Sequence, residues 1–274
     1  MASTVSIEYS HLLMTTPFQS KVAVVTGSTQ GLGEAVARQL IDETMIGGLV
    51  ICGRNADSGR RLADEFARLG CRTEFVQADL TQVDDCRKVI DAAQRAFDRI
   101  DYLVNCAATS ERGTILESSP ELFDRIVALN VRAPFFLMQG ALRLMIEKGL
   151  RGSIVNILSM SSHGGQPFLT PYSMSKGALA TLTKNVANSV LKDRIRVNGL
   201  NIGWMDTPGE TATQQRFHGA SADWLEEAER GQPLGRLLKA PEVAKVVAFL
   251  LSDRSGLMTG SIIDFDQNVL GTHS

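Results

Sequence analysis

Seven short apolar runs rich in β-branched residues recur along the chain, at residues 22–26, 49–53, 72–77, 102–106, 153–158, 195–200 and 261–265, with helical stretches between them. Such alternation is the sequence sign of βαβ units stacked around a parallel sheet. Most of the runs are continuously apolar rather than alternating, as strands covered on both faces should be. Between them the period changes. Val243, Val246, Val247, Leu250 and Leu251 fall at i, i+3, i+4, i+7 and i+8 behind Pro241, the pattern of an amphipathic helix with proline in its first turn. The expected fold class is α/β, a doubly wound, seven-stranded parallel sheet with helices on both faces.

No internal repeat, low-complexity tract or Ser/Pro linker divides the 274 residues, so residues 21–274 read as one domain behind an N-terminal extension, 1–20, of unassigned role. Between residues 207 and 235 the pattern weakens. Gly209, Gly219, Gly231 and Pro233 punctuate a polar stretch holding Phe217 and Trp224, which suits a substrate loop or lid; a bland surface insertion is the alternative. With 28 basic and 30 acidic side chains the net charge is −2, so no nucleic-acid partner is written into the balance. Cys52, Cys71, Cys86 and Cys106 show neither C-x-x-C pairing nor zinc-ligand spacing. No metal site is expected, and a reducing compartment fits. Residues 1–20 lack the basic region and apolar run of a signal peptide, and no stretch approaches the 18 or so apolar residues of a membrane span. A cytoplasmic protein without a membrane partner is expected.

The first strand runs directly into Thr26-Gly27-Ser28-Thr29-Gln30-Gly31-Leu32-Gly33, after which Leu32, Ala35, Val36 and Leu40 take helical spacing. Glycines there allow positive φ and let a pyrophosphate approach the unsatisfied N–H groups at a helix start, where the dipole favours negative charge. The segment lacks the Gly-Lys-Ser/Thr ending of a nucleoside-triphosphate loop, which favours dinucleotide binding over phosphate cleavage. A turn whose glycines serve packing alone is the alternative.

Tyr172 and Lys176 stand four apart in Tyr172-Ser173-Met174-Ser175-Lys176, so on a helix they share a face. A free tyrosine is a poor base near neutrality, and a nearby ammonium is expected to lower its pKa. Upstream, residues 153–158 deliver Ser159 to the carboxyl end of a strand, the edge where open α/β sheets bind ligands. Ser159 can there donate a hydrogen bond to a substrate oxygen.

Residues 26–33, Ser159, Tyr172 and Lys176 together resemble the short-chain dehydrogenase/reductase family, and the resemblance runs from Lys21 to Asp266. It implies a Rossmann-type sheet and a role for each matching residue. Tyr172 would be the general acid/base and Ser159 would orient and polarise the carbonyl. Lys176 would hold the nicotinamide ribose beside Tyr172, and Asn130 would anchor a proton-relay water. Gly27, Ser28, Gln30, Gly31, Leu32 and Gly33 would form the cofactor turn; Asp79 and Leu80 would meet the adenine, and Asn105 and Ala107 the strand-four wall. Ile202, Met205 and Thr207 would meet the carboxamide. Ala108 and Ile202 depart from the family's usual glycine and proline, and Asp264-Phe265-Asp266-Gln267 departs from its usual glycine pair.

Strand two ends in Ile51-Cys52-Gly53-Arg54-Asn55, with no carboxylate for a ribose 2′-hydroxyl and with Arg54 suited to a 2′-phosphate. NADP is therefore the expected cofactor, with NAD the alternative, and Arg60 and Arg61 add to the local field. The expected activity is the interconversion of a carbonyl and an alcohol by hydride transfer. His163, Gln166, Phe168, Ser110, Glu111 and Arg112 should lie near the substrate, and their polarity points to a sugar, polyol or keto-acid. A non-catalytic cofactor-sensing protein and an NAD-retaining epimerase are the rival readings. By resemblance, the assembly is a homotetramer.

Overall fold

Strand β1 (Val22–Val25) lies inside the sheet and has no exposed surface: Val22 and Val24 join the apolar core on one side of the sheet, Ala23 and Val25 the core on the other. Burial on both faces is what its uninterrupted apolar run required. This computed structural model describes residues 20–271; all but one residue of the expected N-terminal extension lie outside the described residues.

From β1 the chain passes through α1 (Gly31–Asp42), β2 (Gly48–Gly53), α2 (Ala56–Arg68), β3 (Arg72–Gln77), α3 (Val83–Phe97) and β4 (Tyr102–Asn105). Helix α4 (Pro120–Val127), a π-helical segment at Ala128–Arg132 and α5 (Ala133–Glu147) lead to β5 (Ser153–Ile157). A short 3₁₀ turn, Met160–His163, precedes α6 (Thr170–Ser189) and β6 (Arg196–Ile202). Then follow β7 (Met205–Asp206), α7 (Pro208–His218), α8 (Trp224–Arg230), β8 (Leu238–Lys239), α9 (Ala240–Leu251) and β9 (Ile262–Phe265).

Seven strands form one parallel sheet in the order β3-β2-β1-β4-β5-β6-β9, at the seven places where apolar runs were expected. Helices α1, α2 and α9 cover one face, and α3, α5 and α6 the other. Strand order reverses between β1 and β4, and the crevice outside the carboxyl ends of these strands is where an open α/β sheet accepts a ligand. The small pair β7–β8 was not anticipated, since two residues per strand leave no periodic signal.

Residues 207–235 hold two helices rather than an irregular loop. Helix α7 buries no residue, so it carries no apolar stripe to read. Its ends are set locally: the Thr207 hydroxyl accepts from the Glu210 amide at 3.1 Å, Pro208 opens the first turn, and Gly219 closes the helix at φ 60°. Among the described residues no helix is long and apolar enough to cross a membrane.

Candidate active site

Positive φ at Gly27 (62°) and Gly31 (59°) turns the chain sharply from β1 into α1. At Gly33 a Cβ would stand 2.4 Å from the Gly27 carbonyl oxygen, so only glycine lets the helix start approach the turn this closely. Gln30, the N-cap of α1, provides no side-chain cap, which leaves amides at the helix start available to an outside acceptor. Thr26 fastens this turn to the segment that follows β4, its Oγ1 accepting from the amides of Cys106 at 3.0 Å and Ala107 at 3.1 Å.

A cleft of about 1100 Å³ opens from this turn along the carboxyl edge of the sheet. Gly27, Gln30, Gly31, Leu32, Gly33, Arg54, Asp79, Leu80 and Ala107 line one part of it. Tyr172, Lys176, Ile202, Met205 and Thr207 line another. Four expected residues, Ser28, Asn105, Asn130 and Ser159, are not part of this lining. Ser28 is fully buried; its hydroxyl donates to the Val25 carbonyl at 2.7 Å and accepts from the Cys52 amide. Asn105 donates to Asn156 Oδ1 at 2.7 Å within the sheet, and Asn156 in turn donates to Thr183 on α6 at 2.9 Å. Asn130, in the π-helical segment, donates to the Thr109 carbonyl and the Ser175 hydroxyl while its Oδ1 accepts from the Thr109 amide. The side chains of Ser28, Asn105 and Asn130 brace the wall rather than facing the cleft.

Ser159 lies beside Tyr172. Ser159 caps the 3₁₀ turn, its Oγ accepting from the Ser161 amide at 3.1 Å, and it stands near enough to the Tyr172 phenol to act on its pKa. Burial raises the Tyr172 pKa above the ordinary tyrosine value; the Ser159 hydroxyl opposes it, Glu210 reinforces it and Arg112 opposes it. Lys176 is 3% exposed and donates from Nζ to the Ile157 carbonyl at 2.8 Å, with Nζ 5.8 Å from the Tyr172 ring centroid. Its own pKa is lowered to about 8 by burial. The expected depression of the phenol by this ammonium is therefore corrected: in the protein alone, desolvation governs both groups, and the lysine's proton is directed at the β5 carbonyl. Cys106 also lines the cleft, but burial pushes its thiol up to about 12, so it is no nucleophile.

Arg54 is exposed at the end of β2 and lines the cleft, whereas Arg60 pairs with Asp57 at 3.2 Å and is not part of the lining. Asp79 accepts from the Thr81 amide and hydroxyl at 3.0 and 2.8 Å.

Around Tyr172 the polar residues separate into two groups. His163 accepts or donates at Nε2 with Asp264 and with Asn201, both at 2.9 Å, and is not part of the cleft lining; neighbouring Ser162 donates to Asn201 at 2.9 Å. The expected substrate role of His163 thus gives way to a tie between the 3₁₀ turn and β9. On the other side, Ser110 and Glu111 line the cleft, Glu111 is held by Arg125 at 2.8 and 3.0 Å, and Arg112 stacks over Phe168 with its Cζ 5.5 Å from the ring centroid. Glu210, Arg125 and Trp204 gave no sequence signal, because their importance comes from contacts between segments distant in the chain.

Residues 27–268 match the family model described as enoyl-(acyl carrier protein) reductase. The chain belongs to the short-chain dehydrogenase/reductase family. This dehydrogenase/reductase is 32% identical over 250 residues to cis-4-hydroxycyclohexanecarboxylate dehydrogenase of Sinomonas cyclohexanicum, covering 91% of this chain and 96% of the relative. It is 32% identical over 247 residues to gluconate 5-dehydrogenase of Gluconobacter oxydans, covering 90% and 93%. Its fold superposes with a TM-score of 0.86, at 28% identity and covering 94% and 99%, on L-sorbose reductase from Gluconobacter frateurii complexed with NADPH and L-sorbose. Its relatives are oxidoreductases acting on CH–OH groups.

Proposed function

We propose that this chain is an NADP(H)-dependent oxidoreductase that interconverts a ketone or aldehyde and the matching alcohol of a polar substrate, a sugar, polyol or keto-acid. The observation that carries the reading is the pairing of Tyr172 and Lys176 in a cleft that begins at the glycine turn, with Ser159 near the phenol. The polar substrates and the NADPH named for the relatives support it.

The chain fits a dinucleotide: the Gly27–Gly33 approach leaves no room for a side chain, and α1 starts without a side-chain cap. The amides of residues 27–33 would hold the pyrophosphate, with Ser28 shaping the turn from behind. Arg54 would hold a 2′-phosphate, and Asp79 and Leu80 would meet the adenine. Asn105 and Ala107 would support the wall, Lys176 and Tyr172 the nicotinamide ribose, and Ile202, Met205 and Thr207 the carboxamide. When bound, the nicotinamide supplies or accepts a hydride.

The raised pKa of Tyr172 keeps its hydroxyl protonated at neutral pH, so the residue is set as a proton donor to the oxygen of a carbonyl undergoing reduction. Ser159 donates a hydrogen bond to the same oxygen and polarises the carbonyl. Lys176 brings a partly retained positive charge to the face of the phenol as negative charge develops there. Asn130, its amide engaged by Thr109 and Ser175, positions α6 and would anchor a relay water. Residues 21–274 act as a single catalytic domain, with the α7–α8 segment as a lid over the substrate. The apolar residues exposed on α5 and α6, among them Phe135 and Met174, suit the faces of a homotetramer, whose expected compartment is the cytoplasm. Light scattering at a monomer mass would overturn the assembly.

The test is Tyr172→Phe. NADPH binding, followed by nucleotide fluorescence, should stay within about threefold, while turnover of any accepted carbonyl falls by roughly 10²–10⁴. Retained turnover would refute the assignment, and intact NADPH binding separates lost chemistry from misfolding.

A further inference from the structure

Near Tyr172, at the side of the cleft lined by Glu210, stands a charge arrangement that proton transfer does not use. Arg112 follows the β4 wall; it is not itself part of the cleft lining, its side chain is only 14% exposed, and it stands against Glu210, which does line the cleft. Its Nε donates to His218 Nε2 at 3.1 Å and one Nη1 proton goes to the Ser110 carbonyl at 2.9 Å. The nearest carboxylate oxygen to Nη2, Glu210 Oε1, is 3.8 Å away, outside hydrogen-bond reach. Glu210 Oε1 is instead satisfied by neutral donors, Trp204 Nε1 at 2.9 Å and Gln214 Nε2 at 2.7 Å. Arg112 therefore keeps its charge close to a carboxylate while Nη2 makes no hydrogen bond to it. Both groups act electrostatically on the Tyr172 phenol, with opposite signs.

A guanidinium presents its donors as a planar fork that matches a carboxylate, and a charge-assisted bidentate pair is among the stronger polar contacts. Phe168 supports the guanidinium plane from one side, and His218 and Ser110 hold Nε and Nη1. We infer that Arg112 is a specificity residue that reads a carboxylate on the substrate, which meets it at the side of the cleft lined by Glu210. Glu210 then has a second role: it is the resident anion that holds Arg112 in place before the substrate arrives and competes with the substrate carboxylate for it. The inference deepens the oxidoreductase reading and rests on it; the substrate class is a small oxo- or hydroxy-carboxylic acid rather than a neutral polyol.

Two oxo-acids, 4-oxopentanoate and 4-oxocyclohexanecarboxylate, each compared with its primary amide, test this because the amide keeps the shape and removes the charge. Steady-state reduction with NADPH gives KM and kcat, and tryptophan fluorescence in the presence of NADP⁺ gives Kd without turnover; Trp204 reports directly because it bonds Glu210. The wild type should prefer acid to amide. Arg112→Gln should raise KM and Kd for the acids about 30-fold more than for the amides. Glu210→Gln should move the acids the other way, lowering their Kd at least severalfold, an effect that a merely structural role for the Arg112–Glu210 contact would not produce. Equal shifts for acid and amide in Arg112→Gln, or weaker acid binding in Glu210→Gln, would overturn the inference. Reduction of neutral ketones with no reduction of either acid would also overturn it, while leaving the oxidoreductase reading standing. Tight NADPH binding with no turnover of any carbonyl would instead remove that reading.

Discussion

Lys176 donates from Nζ to the carbonyl oxygen of Ile157 at 2.8 Å, joining the first half of α6 to the last residue of β5. The bond fixes where α6 stands relative to the strand that delivers Ser159, so one buried cation aligns two parts of the candidate site. Its cost is visible in the lysine itself, which burial brings down from 10.5 to about 8.

That shift predicts a pH dependence. A lysine whose folded pKa is depressed opposes folding while it must carry a proton, and the opposition fades as pH rises from about 8 toward 10.5. In this window the unfolded chain binds the proton and the folded chain does not, so the Lys176 contribution to stability increases with pH. At about 1.4 kcal/mol per unit the full span is on the order of 3 kcal/mol. Urea unfolding of the wild type and Lys176→Met at pH 7.5, 8.5 and 9.5 should show the wild type gaining on the variant at each step. A constant difference would show that the lysine is not desolvated as described.

Gly31 and Gly33 should fail differently. At Gly31 nothing lies within 4 Å of a Cβ, so Gly31→Ala bears only the cost of positive φ, about 1–2 kcal/mol. At Gly33 the added carbon meets the Gly27 carbonyl at 2.4 Å and Ser28 Cα at 2.9 Å, backbone that cannot swing aside. Gly33→Ala should therefore lose more stability than Gly31→Ala and weaken NADPH binding more than tenfold. Equal NADPH affinities in the two variants would show that the close approach is not what shapes the turn.

Arg54 should separate the two nicotinamide cofactors. It is exposed and lines the cleft, so it can be changed with little effect on folding. Loss of one charge-assisted contact to a 2′-phosphate corresponds to roughly 10-fold or more in NADPH affinity. Arg54→Gln should raise the NADPH Kd by that factor and leave the NADH Kd nearly unchanged; parallel changes would mean that Arg54 serves the adenine common to both.

Arg196 closes the end of α9. From β6 it donates to the carbonyls of Leu250 at 2.7 Å, Leu251 at 3.0 Å and Ser252 at 3.0 Å, and to the Ser255 hydroxyl at 2.6 Å. These carbonyls lie at the negative end of the helix dipole and have no intrahelical donors. Arg196→Gln should cost about 2 kcal/mol, equivalent to a fall in melting temperature of roughly 4–8 °C for a chain of this size. A melting temperature unchanged within 1 °C would indicate that solvent replaces the clamp.

The seven strands, the glycine turn, and the helix carrying Tyr172 and Lys176 were legible from order and spacing, because strand burial, positive φ and helical periodicity are local consequences of residue type. The two helices at 208–218 and 224–230 were not, since caps rather than an apolar stripe define the first, and the β7–β8 pair was too short to show a period. Spacing could place Tyr172 and Lys176 on one face, but not the balance of desolvation against charge that sets their protons. Only the assembled fold turned Ser28, Asn105 and Asn130 behind the wall, tied His163 to Asp264 and left Arg112 poised between Phe168 and Glu210. Those outcomes depend on contacts between segments about 20 to 100 residues apart, whose free energies no local pattern encodes.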